Sequence, residues 1–152
     1  MSFFIFLFKI QFRFILWVSK NMTLNEYIIA VGDGHQDDGE NFLRDFGSTE
    51  VFFSIDTYGI QVEDGPITVS SDVPMRMPFT NLNGQRLVPF FTSKQDFRLR
   101  ERFAGMPLIR AIEMVCKLAD EADGMLIQSD QSAWIAFHQE TLSNFNEPSK
   151  FQ

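Results

Sequence analysis

Apolar and polar positions divide most of this chain into short segments whose spacing names them. The clearest unit spans residues 79–103, FTNLNGQRLVPFFTSKQDFRLRERF. Asn83-Gly84 falls between two apolar runs, Met77 to Phe79 and Leu87 to Phe91. A two-residue hairpin turn of type I′ needs positive φ at both central positions, which Asn and Gly tolerate best, so the unit predicts a β-hairpin. After Phe91 the pattern predicts a helix over 93–103. Thr92 and Ser93 are its caps, Asp96 sits in the first turn where the helix dipole favours negative charge, and Phe97 and Phe103 face the sheet. Arg98, Arg100, Glu101 and Arg102 are then solvated. Pro89 cannot donate a ladder hydrogen bond, which predicts an edge position or a bulge.

Before this unit, Thr23-Leu-Asn-Glu26 is a capping-box pattern. It predicts a helix through Tyr27, Ile28, Ile29 and Val31 that ends at Gly32 or Gly34. A polar loop, DGHQDDGE, precedes a short helix from Glu40 to Phe46 that ends at Gly47-Ser48. Val51 to Ile55 reads as a strand. Ile60 to Val62 and Ile67 to Val69 read as weaker strands around a turn at Asp64-Gly65-Pro66.

After it, Gly105 reads as a break and Pro107 as the opening of a helix, where a missing N–H costs nothing. Leu108, Ile112, Val115 and Ala119, flanked by Ile109 and Cys116, form one apolar stripe, the best amphipathic helix in the chain. Asp123-Gly124 ends it. Met125 to Ile127 and Ala133 to Phe137 read as neighbouring strands, and Glu140 to Phe145 as a last helix. Residues 146–152 read as a tail.

Residues 1–21, MSFFIFLFKIQFRFILWVSKN, follow a different pattern. They hold six of the 18 phenylalanines. Lys9 and Arg13 interrupt the apolar run well short of the about 20 residues a membrane-spanning helix needs. The charges follow the first apolar run instead of preceding it, and no small-x-small cleavage site follows, so the stretch is a poor signal peptide. Phe8 to Phe14 alternates as an added strand would. A further reading makes Met22 the true start and residues 1–21 a translated upstream extension; the runner-up is a membrane-associating tail.

Length and composition then set the class. A chain of 152 residues with 45% apolar content is one domain with a real core. The segments predict a single α+β domain, a mixed sheet of about five strands with packed helices. The phenylalanine excess, against two Trp and two Tyr, reads mainly as core. Net charge is −7. Lys9, Arg13 and Lys20 give the first 21 residues +3, which leaves −10 on the rest. Such a surface argues against nucleic acid, and against anionic membranes for residues 22–152. A protein partner with a basic surface is the electrostatically favoured one. The single cysteine, Cys116, forms no internal disulfide, which fits a cytoplasmic protein.

No catalytic, cofactor-binding or metal-binding residues are identified. The loop from Asp33 to Glu40 is the densest set of ligand atoms. Counted from Asp33, however, the sixth and twelfth positions of a calcium loop hold Asp38 and Arg44, where Gly and Glu belong. His35, His138 and Cys116 are too dispersed for a zinc set. The apolar stripe buries Cys116, against a nucleophilic role. No glycine-rich phosphate-binding motif occurs. Arg98, Arg100, Arg102 and Arg110 make a small basic stretch, with Arg98 and Arg102, four apart, on one face of the expected helix; it reads as a solvated face paired to acids such as Asp96 and Glu101, the alternative being a local contact with an anion or an acidic partner.

The order of the segments resembles the N-terminal domain of the SseB family, the enhanced serine sensitivity proteins, over residues 22–145. Leu24 to Ala30, Phe42-Leu43 and Val51-Phe52-Phe53 resemble the family's opening helix, short helix and first strand. Gly84-Gln-Arg-Leu-Val-Pro-Phe-Phe-Thr-Ser93 is similar to its "G…LPVFTS" stretch. Asp123-Gly124-Met-Leu-Ile127 resembles its "dGlviNP" strand, and Trp134 to Leu142 its closing strand and helix. Gln128-Ser129 stands where family members often have Asn-Pro, and the second domain of longer members has no counterpart here. The resemblance implies an α/β-type domain of poorly understood role, met in bacteria; with the size of the chain and the absence of a catalytic or cofactor motif, it gives the expectation of a non-enzymatic binding or regulatory module without cofactor. Combined with the charge, it gives the expectation of docking on a basic partner, such as a toxin that it neutralises as an immunity protein or a secretion component. The alternatives are a small hydrolytic or metal-assisted enzyme using loop 33–40 with His35, and a homodimer formed through a Phe-rich edge.

Overall fold

A computed structural model describes residues 22–35, 40–55, 65–67 and 77–145. Twelve elements occur among them. They are α1 (Leu24–Val31), β1 (Gly34–His35), α2 (Glu40–Phe46), β2 (Glu50–Ser54), β3 (Gly65–Ile67) and β4 (Thr80–Leu82), then β5 (Gln85–Phe91), β6 (Arg102–Pro107), α3 (Leu108–Cys116), β7 (Gly124–Gln128), β8 (Trp134–His138) and α4 (Gln139–Phe145). The expected α+β fold is what forms. Five strands are five residues or longer, β2, β5, β6, β7 and β8, and the other three are short.

The strands make one mixed sheet in the order β1-β8-β7-β5-β2-β6-β3, with β4 also paired to β5. β5 runs parallel to β7 from Leu87↔Gly124 to Phe91↔Gln128. β7 and β8 are antiparallel, with Leu126 opposite Ala136. β2 lies antiparallel to both β5 and β6. The β4–β5 hairpin turns at Asn83 and Gly84, with φ of 52° and 83°, as their permissive backbones allow. α1 begins at the expected N-cap, Thr23, whose hydroxyl also donates to Glu26 Oε1 at 3.1 Å. The Glu26 N–H donates to Thr23 Oγ1 at 3.2 Å, and the helix ends at Gly32 with φ 73°.

Because side chains alternate across a strand, the registers sort the sheet into two faces. One face carries Val51, Phe53, Val88, Phe90, Ala104, Met125, Ile127, Ile135 and Phe137. It packs with Leu24 and Ile28 of α1, Phe42 and Phe46 of α2, Leu108, Ile112 and Val115 of α3, and Leu142 and Phe145 of α4. Aromatic rings tie these layers together. Phe42 lies 5.1 Å from Phe137, Phe137 5.5 Å from Phe145, and Phe53 5.6 Å from Phe90. Most phenylalanines among the described residues are core, as expected. Leu87, Leu126 and Ala136 point the other way and form a second buried cluster with Leu82 and Trp134.

Several expectations are corrected. Residues 93–103 form no helix. Turns occupy 94–95 and 97–98, and β6 begins at Arg102. The Ser93 hydroxyl accepts from Gln95 N–H at 3.1 Å, and the Asp96 carboxylate accepts from Arg98 N–H at 3.0 Å. These local bonds offer the backbone an alternative to helix. Gly105 is not a break; it lies inside β6, paired with Phe52. A Cβ there would meet the Phe52 ring at 2.9 Å, so the missing side chain is the seat of that ring. Pro89 is buried in an interior strand instead of at an edge. β4 pairs with Gln85 to Leu87 and β2 at Phe91, so Pro89 falls in the gap between two partners, where no donor is demanded. Gly65 and Pro66 belong to β3, parallel to β6, and not to a turn. Pro107 precedes the helix as its N-cap, and α3 ends at Cys116, leaving Ala119 exposed. The strand expected at Ile60 to Val62, the tail, and residues 1–21 lie outside the described residues.

Candidate functional site

The carboxyl ends of the parallel strands β5 and β7 open at the same end of the sheet, the usual place for a site in a sheet with parallel strands. Here Thr92 N–H donates to Gln128 O at 3.2 Å and closes the two strands together. Asn25, in the first turn of α1, reaches across both. Its Oδ1 accepts from Thr92 Oγ1 at 2.6 Å and from Asp130 N–H at 2.9 Å, and its Nδ2 donates to Asp130 Oδ1 at 3.0 Å. One amide side chain thus fixes α1 to the ends of β5 and β7. The turn after β7 is closed by Ser129, whose hydroxyl accepts from Gln131 N–H at 3.2 Å and whose N–H donates to Ala133 O at 2.8 Å.

The turn after β5 is held by an ion pair. Arg98 meets Asp96 with both ends of its fork, Nε to Oδ1 at 2.9 Å and NH2 to Oδ2 at 2.7 Å. The same NH2 donates to Ser129 O at 2.6 Å, and the guanidinium lies 5.0 Å from the Phe91 ring centroid. The Asp96 side chain is 2% exposed and that of Arg98 24%. Burial pushes the Asp96 carboxyl up, but the hydrogen bonds and charge of Arg98 outweigh it and hold the group below the ordinary carboxylate range. This geometry is bidentate and charge-assisted, the strongest form of such a bond.

On that fixed turn Phe97 is 87% exposed. It was expected to pack on the sheet with Phe103. Phe103 does, 6.4 Å from Phe52, whereas Phe97 projects to solvent 5.7 Å from the Arg98 guanidinium. Glu26, Asp33 and Asp130 are exposed on the neighbouring segments. Asp33 Oδ1 also accepts from Trp134 N–H at 3.2 Å, which holds the start of loop 33–40 against β8. The end therefore presents an exposed aromatic side chain on a hydrogen-bonded turn, a rim of carboxylates, and polar groups that already hydrogen-bond one another.

The other sequence candidates do not converge on this end. Arg98 and Arg102 share no helix face; Arg102 stands in β6. Arg110 pairs with Glu113 at 3.1 Å on the exposed face of α3. Cys116 is half-buried and free, and burial, followed by the charge of Glu113, pushes its thiol up. That is the wrong direction for a thiolate nucleophile. His35 lies in β1 opposite Ala136, and His138 ends β8 opposite Gly124. No cluster of three His, Cys, Asp or Glu able to hold a metal occurs among the described residues, and 36–39 of the acidic loop lie outside them. No helix among the described residues is long and apolar enough to cross a membrane. Asn25, Ser129 and Asp130 were not singled out from sequence. The available signal was that two apolar runs read as strands, Leu87 to Phe91 and Met125 to Ile127, are followed at once by Thr92-Ser93 and Gln128-Ser129, which the parallel pairing places side by side. Comparison with known protein families, curated proteins and solved structures finds no match for the chain.

Proposed function

We propose that the chain is a non-enzymatic protein-binding or regulatory module of the SseB type, acting in the bacterial cytoplasm, and that it docks a partner with a basic surface through the carboxyl ends of β5 and β7. The observation that carries this reading is the pairing of exposed Phe97 with the acidic rim of Glu26, Asp33 and Asp130. An aromatic anchor within a charged rim is the usual anatomy of a protein-recognition patch. The rim contributes rate and selectivity and the ring contributes contact area. The net charge of −7 supports the same choice of partner. So do the hydrogen bonds of the Asp96–Arg98 turn, because a backbone that is already held loses less entropy when the ring it carries is bound. A toxin neutralised by the module, or a component of a secretion or regulatory complex, fits this chemistry.

The test is affinity capture from the native cells with tagged full-length chain, set beside a Glu26→Lys/Asp130→Lys variant. The expected result is one stoichiometric basic protein, retained by the wild type, released by raised salt and absent from the variant. Failure to retain any partner above background, or equal retention by the variant, would refute the reading.

A further inference from the structure

The tip of the β4–β5 hairpin holds the one asparagine of the chain that a glycine follows; every other asparagine precedes a residue with a side chain. The backbone nitrogen after an asparagine can attack the side-chain carbonyl carbon, Cγ, and close a five-membered ring. A side chain on the attacking residue obstructs the approach. Gly84 has none, and a Cβ built on it would meet nothing within 4 Å. Asn83 and Gly84 are both exposed, and among the described residues no hydrogen bond holds the Asn83 amide.

The other asparagines of the described residues are placed differently. Asn25 is fixed by its bonds to Thr92 and Asp130, and the nitrogen that would attack it, Glu26 N–H, already donates to Thr23 Oγ1 at 3.2 Å. Asn41 lies in α2 and accepts from the Arg44 guanidinium. Asn144 lies in α4 before the buried Phe145. Asn81 lies in β4, paired with Arg86 and followed by Leu82, which packs on buried residues. Ring closure turns Asn83 out of its left-handed conformation, and a hairpin tip is where such a movement disturbs least.

We infer that Asn83–Gly84 is a site of self-modification, and that its isoaspartyl product unfastens β4 from the sheet. The bond from Gly84 N to Asn83 Cγ forms as the bond from Cγ to Nδ2 breaks, and Nδ2 leaves as ammonia with the proton from Gly84. Water then opens the succinimide. Attack at Cγ returns a normal main chain with aspartate at 83. Attack at the α-carbonyl gives isoaspartate, whose main chain runs through Cβ and Cγ. Both routes consume one water and release one ammonia, without oxidation or reduction, and both take the net charge from −7 to −8.

The two products differ in what they do to the hairpin. Aspartate keeps the length of the turn and suits type I′ as asparagine does. Isoaspartate adds a carbon to the main chain of a two-residue turn closed by Leu82↔Gln85. Turn length sets register, so the pairs from Thr80↔Leu87 to Leu82↔Gln85 do not all survive. β4 has β5 as its one partner strand among the described residues, and nothing else in the sheet holds it in register. Leu82 packs on Leu87, Leu126 and Ala136, so its release opens that buried cluster to water. The turn lies at the opposite end of β5 from the proposed docking end, and the inference stands independently of that reading.

The experiment is incubation of the full-length chain at mildly alkaline pH, with peptide mapping of every asparagine and labelling of isoaspartate by an L-isoaspartyl methyltransferase. The expected result is conversion at Asn83 several-fold faster than at any other asparagine, with isoaspartate as the more abundant product. Faster conversion elsewhere, or an unmodified Asn83 once a free peptide of residues 79–88 is fully converted, would overturn the inference. Asn83→Asp supplies the second measurement, since it carries the same charge on a normal main chain. It is expected to unfold at the denaturant concentration of the wild type, whereas the isoaspartyl protein unfolds at a lower one. An isoaspartyl protein as resistant as Asn83→Asp would show that β4 stays fastened and would overturn it as well.

Discussion

The two faces of the sheet solve the same problem with different materials. The helical face is built from large rings: Phe53, Phe90 and Phe137 interlock with Phe42, Phe46 and Phe145 from the helices. The other face is built from smaller side chains at its centre, Leu87, Leu126 and Ala136, with larger ones towards its margins, Phe52, Phe103 and Trp134. Rings on a flat sheet need a partner layer with matching depth, and four amphipathic helices supply it. Small aliphatic side chains leave a shallow surface that a flatter cover can close. The difference teaches that phenylalanine content alone does not locate the core of this chain. Position on the pleat decides which ring meets a helix and which does not.

The most damaging change on the helical face is Phe137→Ala. Its ring touches both Phe42 and Phe145, so the cavity it leaves spans a helix–sheet–helix junction. The expected loss is about 4 kcal/mol, read from denaturant melts of the two proteins. Leu126→Ala is the matched change on the other face, and with Leu126 2% exposed the expected loss is about 3 kcal/mol. If this loss came out below about 1 kcal/mol, the second face would be open to water, and the equivalence of the two faces would break.

What the sequence revealed and what it concealed divide along the range of the deciding interaction. Asn83-Gly84 and the Thr23/Glu26 box are local devices. Their physics lies within four residues, and both elements formed as read. The stretch 93–107 was misread for the opposite reason. Charges at Arg98 and Arg102 and rings at Phe97 and Phe103 resemble a helical spacing, yet β6 exists because it pairs with β2 from Glu50↔Pro107 to Ser54↔Phe103. Propensity yields to such pairing. Gly105 looked like punctuation because the Phe52 ring it accommodates is 53 residues away in the sequence. The candidate site was concealed in the same manner. Asn25 and Asp130 meet across 105 residues, and no spacing rule brings them together. The parallel β5–β7 pairing does so, and a parallel pair requires a long crossover that no local motif announces.

Between the two faces lies the polar end, where the expected effects are smaller. Asp96→Asn removes the charge from a bidentate pair while keeping its shape. The expected loss is about 2 kcal/mol at neutral pH. The sign of its pH dependence follows from the lowered carboxyl of Asp96. A group whose acidity is strengthened by folding contributes its full stability above the unfolded-state carboxylate range. That contribution is lost as pH falls through the folded-state value. Wild type and Asp96→Asn are therefore expected to differ most above about pH 5 and to converge on acidification, in melts collected across that range. A gap that stays constant down to low pH would assign the loss to packing and not to the ion pair.

The smallest expected effect on stability belongs to the most exposed large apolar side chain among the described residues. Phe97→Ser removes a ring that is 87% in solvent, on a turn whose bonds come from Ser93, Asp96 and Arg98 and not from the ring. Its unfolding free energy is expected to match wild type within about 0.5 kcal/mol. The guanidinium of Arg98 loses only a neighbour at 5.7 Å and keeps Phe91 at 5.0 Å. An exposed ring that stability does not need is retained for contact or for nothing. The two are separated by repeating the capture experiment with Phe97→Ser: loss of the partner from a protein as stable as wild type assigns the ring to recognition. A drop in stability well beyond 0.5 kcal/mol would instead mean that Phe97 packs against the protein in solution, and the two faces would no longer account for all of its buried aromatic surface.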